Sequence, residues 1–101
     1  MRALSCYLIS KKIISDSIGV EKEIEKKQEV PILRHEDIYS KEFYEANEHG
    51  FKPSLRIVIS ELNYNDESEL EYMNIKYTII RTENRYLDER ILICERKIKN
   101  V

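Results

Sequence analysis

Short stretches in which apolar and polar residues alternate recur along this chain, and they predict β-strands. In residues 55–60 the three odd-numbered side chains are Leu or Ile and share one face, while the even-numbered ones share the other. Pro31 lacks a backbone N–H, so its strand is expected at an edge or a bulge. The predicted strands lie at 6–14, 29–35, 55–60, 70–72, 75–82 and 91–95.

Turn residues separate these strands. Asp16 opens and Gly19 closes a four-residue turn, and Met73-Asn74 predicts a tight turn because Asn tolerates positive φ. Residues 63–68 form a polar loop, and 83–90 are interpreted as a charged connection. Together the pattern predicts one domain over residues 1–101 that is mainly β: a small antiparallel β-barrel or sandwich of about six strands with one short helix.

Residues 20–27 are densely charged and have two interpretations. Glu and Lys favour a helix, whereas a solvated edge strand or hairpin arm fits as well, because Lys protects sheet edges. From Glu21 to Glu29 the charges alternate in sign. This alternation is typical either of a solvated face or of a salt-bridged contact with a neighbouring subunit, and the sequence leaves the choice open.

The helix is predicted to begin after Ser40, a suitable N-cap, and to run for two to three turns. Tyr39 and Tyr44 occupy the two positions of a hydrophobic staple. Its end is equally marked, because Gly50 suits the left-handed residue after a helix and Phe51 is expected to fold back on the last turn. Pro53 prevents continuation, so the chain is expected to turn sharply into the next strand.

Charge and composition argue against several functions. The 17 Lys and Arg residues nearly balance the 19 Asp and Glu residues, whereas a nucleic-acid-binding module usually has a clear basic excess. An OB- or SH3-like module that stacks bases on its tyrosines stays a weaker alternative. The longest apolar runs are too short for a membrane span, so a soluble protein of a reducing compartment is expected.

No catalytic group, metal site or cofactor is expected. His35 and His49 flank the helix near carboxylates, but their spacing matches no zinc pattern. Cys94 lies in an apolar strand, where a thiolate is disfavoured. Cys6 and Cys94 are therefore interpreted as buried, inert thiols.

The order of several motifs resembles the small head-tail adaptor, or head closure (stopper, head-tail joining), proteins of tailed bacteriophages and prophages. Residues 16–19 are similar to the family's early Asp-x-x-Gly turn, and 40–46 to its Ser-x-Glu-Phe-Tyr-x-Ala helix. Residues 50–53 resemble the Gly-Leu-Lys-Pro that follows. Residues 69–77 look like its Glu-x-Glu-Tyr hairpin without the usual turn glycine, and 80–82 like its Ile-Arg-Thr ending.

The resemblance implies a structural virion protein of a siphophage-like particle rather than an enzyme. Its subunits would self-associate into a dodecameric ring in the head-tail connector, after assembly in the cytoplasm of the bacterial host. The ring would contact the portal-side adaptor on one side and the tail terminator and tail tube proteins on the other. Packaged DNA would pass through without sequence-specific binding, and no membrane is involved. A neighbouring connector component, adaptor or tail terminator, is the alternative.

Residues 39–53 are the candidates for ring and channel contacts, and residues 63–68 are the candidate interface loop. Because an isolated helix of under about 12 residues is marginal, residues 40–53 are expected to change structure on assembly. A static helix packed over the end of the barrel is the alternative. The candidate residues are Tyr39, Ser40, Phe43, Tyr44, Gly50, Phe51, Lys52, Pro53, Asn63, Tyr64, Asn65 and Asp66.

Overall fold

A single antiparallel sheet forms the body of the molecule. The computed structural model describes residues 3–97, and residues 1, 2 and 98–101 of the predicted domain lie outside this range. Within it the fold is mainly β with one α-helix, as predicted, and the strands number seven rather than about six. They are β1 (Ser5–Ser15), β2 (Glu21–Pro31), β3 (Arg34–His35), β4 (Pro53–Ser60), β5 (Glu69–Tyr72), β6 (Ile75–Arg85) and β7 (Glu89–Arg96); α1 is Ser40–Glu48.

The strand order is β2-β1-β5-β6-β7-β4-β3, and the sheet is not closed into a barrel. Its two edge strands, β2 and β3, are nevertheless consecutive in the chain and are joined by Ile32 and Leu33. The amide of Ile32 donates to the carbonyl of Leu4 (2.9 Å), and that of Leu33 donates to the carbonyl of Val58 (2.8 Å). The predicted strand at 29–35 is therefore two strands, because the chain passes from one edge to the other immediately after Pro31.

Both faces of the central strands are buried. The predicted alternation in β4 is correct, since Ile57 and Ile59 belong to the main core together with Leu70, Leu92 and Cys94. The opposite face carries a second cluster of Val58, Ile91 and Ile93, packed against Ile80. Since α1 lies beside this second cluster, the sheet has a core face and an outer face that is partly covered.

The turns of the β1–β2 and β5–β6 hairpins depend on residues that accept unusual backbone angles. Asp16 accepts hydrogen bonds at Oδ1 from the amides of Ile18 (3.0 Å) and Val20 (2.9 Å), and Gly19 has φ 84°. In the predicted tight turn, Met73 and Asn74 both have positive φ, 51° and 65°. Two positive φ angles match the right-handed twist of the flanking strands, so this turn forms without a glycine.

The prediction of a connection at 83–90 is wrong. β6 continues to Arg85 and β7 begins at Glu89, so that only residues 86–88 form the turn. The strands accommodate these polar side chains because the side chains form hydrogen bonds. Arg90 donates to Glu61 through Nε (2.7 Å) and Nη2 (2.6 Å), and Asn84 donates to the carbonyl of Glu89 (3.0 Å).

The start of α1 differs from the prediction by one residue. Tyr39, with extended φ −69° and ψ 143°, is the N-cap and makes no side-chain capping bond, so Ser40 is the first helical residue. The proposed Tyr39–Tyr44 staple is therefore displaced from its required positions. The Tyr39 ring packs against the guanidinium of Arg56 in β4 instead, with 4.7 Å between Arg56 Cζ and the ring centroid.

The end of α1 is as predicted. Gly50 has φ 84° and donates its amide to the carbonyl of Asn47 (3.0 Å), while the amide of Phe51 donates to the carbonyl of Ala46 (2.9 Å). These two bonds form a Schellman motif. No helix in the described part of the chain is long and apolar enough to cross a membrane.

Candidate assembly surfaces

The β1–β2 hairpin extends well beyond the rest of the sheet. β1 pairs with β2 along its full length but with β5 only from Tyr7 to Ile9. Residues 10–26, here called the arm, therefore pair only with each other within the sheet, and all of them are exposed. The radius of gyration is 15.1 Å, against about 13 Å for a compact domain of this length. Residues 21–27 thus belong to edge strand β2, and the helix interpretation of 20–27 is wrong.

One face of the arm contains lysine and isoleucine and no acidic residue. Residues paired directly across two strands lie on the same face. The even-numbered residues of the arm are paired with one another, and they continue the face on which Cys6 and Leu8 belong to the core. Ile14 and Ile24 are 42% and 46% exposed, and in residues 3–97 the three lysines form no ion pair. This lysine face consists of Ser10, Lys12, Ile14, Lys22, Ile24 and Lys26.

The other face of the arm is acidic, and its base is attached to the body by ion pairs. Lys76 Nζ lies 3.2 Å from Glu25 Oε1, and Lys11 Nζ lies 3.1 Å from Glu69 Oε1. A hydrogen bond from Lys97 (2.7 Å) to Glu69, opposed by burial and reinforced by Lys11, holds the pKa of Glu69 below its usual value. These contacts fix the direction in which the arm leaves the sheet.

A groove of about 310 Å³ lies between α1 and the outer face of the sheet. Its apolar lining is Ala46, Phe51, Ile80 and Ile93. Its polar lining contains three glutamates of α1 and two other groups: Glu42, Glu45, Glu48, His49 and Arg81. The guanidinium of Arg81 is already paired with Glu83 (2.6 Å). This surface, here called the helix groove, is therefore apolar with a net acidic rim.

Arg56 attaches α1 to the sheet. It is only 4% exposed, and its Nε donates to Glu36 (3.0 Å) while its Nη1 donates to Glu42 (2.6 Å). The stacked ring of Tyr39 covers the guanidinium and adds a cation–π contact. Burial opposes the charge of Arg56, but the hydrogen bonds to Glu42 and Glu36 raise its pKa on balance. Sequence reasoning missed this role, since an Arg at an even position of β4 looks like an ordinary solvent-facing residue.

Glu36 connects Arg56 to a second set of arginines. Arg85 Nη1 donates to it (2.7 Å), and Arg34, which lies 3.8 Å away, makes a two-pronged contact with Glu89 (2.7 Å for each bond). Burial opposes the ionisation of Glu36, yet the hydrogen bonds from Arg85 and Arg56 hold its pKa below the usual 4.5. Glu36 therefore contributes to stability as a carboxylate.

Acidification is expected to destabilise the protein. A carboxyl whose pKa is lowered by folding stabilises the native state fully above its unfolded pKa, and this contribution is lost as the pH falls through the folded value. The free energy of unfolding, measured in urea at a series of pH values, should therefore decrease below about pH 4.5. Glu36→Gln should reduce it by about 1.5–3 kcal/mol at neutral pH, because a charged hydrogen-bond acceptor is lost, and should make the acid decrease shallower.

Glu48→Gln is the matched control, because Glu48 is exposed and forms no ion pair in residues 3–97. Its pH profile should run parallel to that of the unmodified protein. An acid decrease that is equally steep in the Glu36→Gln variant would show that Glu36 does not contribute to the pH dependence.

Most residues of the first predicted contact stretch lie at the surface. Tyr39 (59% exposed), Phe43 (39%), Tyr44 (66%) and Phe51 (40%) are open to solvent, whereas Pro53 is buried at the start of β4. Ser40, Gly50 and Lys52 are exposed as well.

The second stretch lies beside the base of the arm, where Asn65 and Asp66 line a cleft with Ser10 and Lys11. Asn63 is half-buried at the end of a short 3-10 turn. Tyr64 is half-buried too, with Arg90 over its ring (5.5 Å). The lysine face was not among the predicted residues, and the alternating charge of 20–29 was the one signal for it.

Both thiols are buried, and His35 contacts a tyrosine. Cys6 and Cys94 are buried and unpaired in the main core, as predicted. Burial raises the pKa of Cys6 to about 12 and also raises that of Cys94. His35 Nε2 lies 2.9 Å from the hydroxyl of Tyr72, and residues 3–97 contain no group of three or more His, Cys, Asp or Glu side chains placed to hold a metal ion.

Comparison with family models, with curated proteins and with solved structures gives no match for this chain. The surfaces are therefore judged by their own exposure, charge and shape. The lysine face and the helix groove are the two with the clearest chemical character.

Proposed function

We propose that this protein is a structural subunit of a head-tail connector, the head closure ring of a siphophage-like phage or prophage. The observation that supports this best is the arm, on which Ile13 (65% exposed), Ile18 (83%) and Val20 (48%) are open to solvent. An isolated two-stranded hairpin is marginally stable in water, and exposed apolar patches usually mark interaction sites. An arm of this kind is therefore useful mainly through contact with another molecule.

The motifs that resemble the connector family fall on distinct elements of the fold, which also supports the proposal. Residues 16–19 form the tip of the arm, 40–53 form α1 and its exit, and 69–77 form the β5–β6 hairpin. The missing hairpin glycine does not count against the resemblance, because Met73 and Asn74 adopt the required backbone angles.

In this role, copies of the chain assemble into a dodecameric ring between the portal-side adaptor and the tail terminator and tail tube proteins. The ring retains packaged DNA, which passes through it without sequence-specific binding. The protein has no catalytic role and needs no cofactor. A structural change of residues 40–53 on assembly stays a prediction of the same proposal.

Deletion of the gene from the phage genome tests the proposal. The expected result is full heads that leak DNA, together with separate, complete tails, seen by electron microscopy and by nuclease sensitivity of the packaged DNA. Expression of the unmodified gene in trans should restore joined particles. Normal virions would contradict the proposal, and tails of uncontrolled length would assign the chain to the tail terminator instead.

A further inference from the structure

We propose that the lysine face of the arm docks into the helix groove of a second copy of this chain. The inference rests on the proposed function only in that a ring needs a contact between identical subunits. It names the two surfaces that make this contact, and it predicts self-association of the purified protein whether or not a virion is its destination.

Charge and apolar character match between the two surfaces. The lysine face presents three cationic side chains around two exposed isoleucines, with no acid. The helix groove presents an apolar floor with glutamates along its rim. Complementary charges guide encounter and fix register, while the isoleucines and the groove floor supply apolar area to bury.

Both surfaces have unused bonding capacity. Glu48 forms no ion pair in residues 3–97, and Glu45 has only a long contact of 3.9 Å with Lys41. Glu42 is held by Arg56 instead, so Glu45 and Glu48 are the exposed carboxylates of the groove. The groove is therefore left with negative charge that the subunit itself does not neutralise.

A subunit cannot fill its own groove. The lysine face continues the core face of the sheet, whereas Ile80 and Ile93 in the groove lie on the outer face. β5 also stands between the arm and the β6–β7 pair that forms the groove floor. The ion pairs of Lys76 and Lys11 hold the arm base in place, so the occupant must come from another molecule.

Two different surfaces make a heterologous contact, which adds subunits head to tail. Such a contact produces a closed ring when the rotation between neighbours closes and an open filament when it does not. A self-complementary dimer would instead need the same surface on both copies. The contact proposed here is thus of the type from which rings are built.

Charge reversal on each surface separately tests the contact. The arm variant is Lys12→Glu with Lys22→Glu, and the groove variant is Glu45→Lys with Glu48→Lys. Sedimentation velocity is measured over a range of protein and salt concentrations, and thermal unfolding verifies that each variant is folded. All four residues are exposed, so neither pair of changes disturbs the core.

The unmodified protein should form oligomers that dissociate as salt rises, because screening weakens contacts between exposed charges. Each variant alone should sediment as a monomer. An equal mixture of the two should assemble again, because an unmodified lysine face meets an unmodified groove and a reversed arm meets a reversed groove. The control is Glu21→Lys with Glu23→Lys, which makes the same charge change as the groove variant but on the opposite face of the arm. It should assemble by itself, because its lysine face and its groove are both unmodified.

Several results would overturn the proposal: an unmodified protein that is monomeric throughout, an arm variant that assembles normally, or a mixture that stays monomeric. Loss of assembly in the control would reduce the effect to a general change in the charge of the protein. Salt-dependent binding of short duplex DNA by a monomer, lost in the arm variant and kept in the groove variant, would assign the lysine face to phosphate groups instead.

The two proposals fail separately. Assembly through these surfaces together with normal virions after gene deletion would remove the connector role and keep the contact. Leaking heads together with normal assembly of both variants would keep the connector role and remove this contact.

Discussion

Replacing Arg56 with alanine should lower the free energy of unfolding by about 3–5 kcal/mol, the usual cost of removing one member of a buried ion pair. The side chain of Arg56 is 3% exposed, and its loss deprives Glu42 of the hydrogen bond that its carboxylate makes in the described structure. Tyr39 loses the group on which it stacks. Since small domains have only about 5–15 kcal/mol of net stability, the variant should unfold at markedly lower urea concentration.

The position of Arg56 also predicts where the damage occurs. α1 has no fully buried residue, so its attachment depends strongly on this ion-pair cluster, and amide hydrogen exchange should increase most in 39–48. Arg81→Ala is the matched control, because Arg81 is 53% exposed and, within residues 3–97, has an ion pair with Glu83 alone. It should cost no more than about 1 kcal/mol. Equal losses in the two variants would show that burial of Arg56 does not stabilise the fold.

Leu92→Ala should also be strongly destabilising, by about 2–5 kcal/mol, because it leaves a cavity in a closely packed core. Leu92 is fully buried in β7, where it is paired with Ile57 on one side and Thr82 on the other. Every strand that meets β7 therefore loses packing around the vacated volume. Urea unfolding followed by circular dichroism measures the effect.

Leu62→Ala makes the same chemical change at a position that is 91% exposed, and it should stay within about 0.5 kcal/mol of the unmodified protein. The difference between the two leucine variants then reports the burial of Leu92 alone. A difference below about 1 kcal/mol would mean that the core around β7 is loosely packed, contrary to the structure.

Local patterns predicted the parts of the fold that local chemistry decides. The alternation in 55–60, the Met73–Asn74 turn and the left-handed Gly50 all follow from side-chain spacing or backbone freedom, and the structure confirms them. The charged strand ends at 83–85 and 89–90 were missed, because their stability comes from partners distant in sequence, such as Glu61 for Arg90.

The same limit applies to the candidate surfaces. The charge alternation of 20–29 is visible in the sequence, but which lysines share a face with which isoleucines depends on the register of β2 against β1. The burial of Arg56 depends on α1 folding over β4, and the N-cap is Tyr39 rather than Ser40 where the helix meets Arg56. These features depend on contacts between residues distant in the sequence, which local propensities do not predict.

The two-residue link between β2 and β3 limits how far the sheet can unroll. Three Cα–Cα steps separate Pro31 from Arg34, and an extended chain covers at most about 11 Å in that distance. The two edges of the sheet are thus tethered where the link crosses, even though no complete strand ladder joins them. An open sheet edge invites pairing with other chains. The tether holds β3 close to the base of β2. The long strand edge that stays open to solvent is therefore that of the arm.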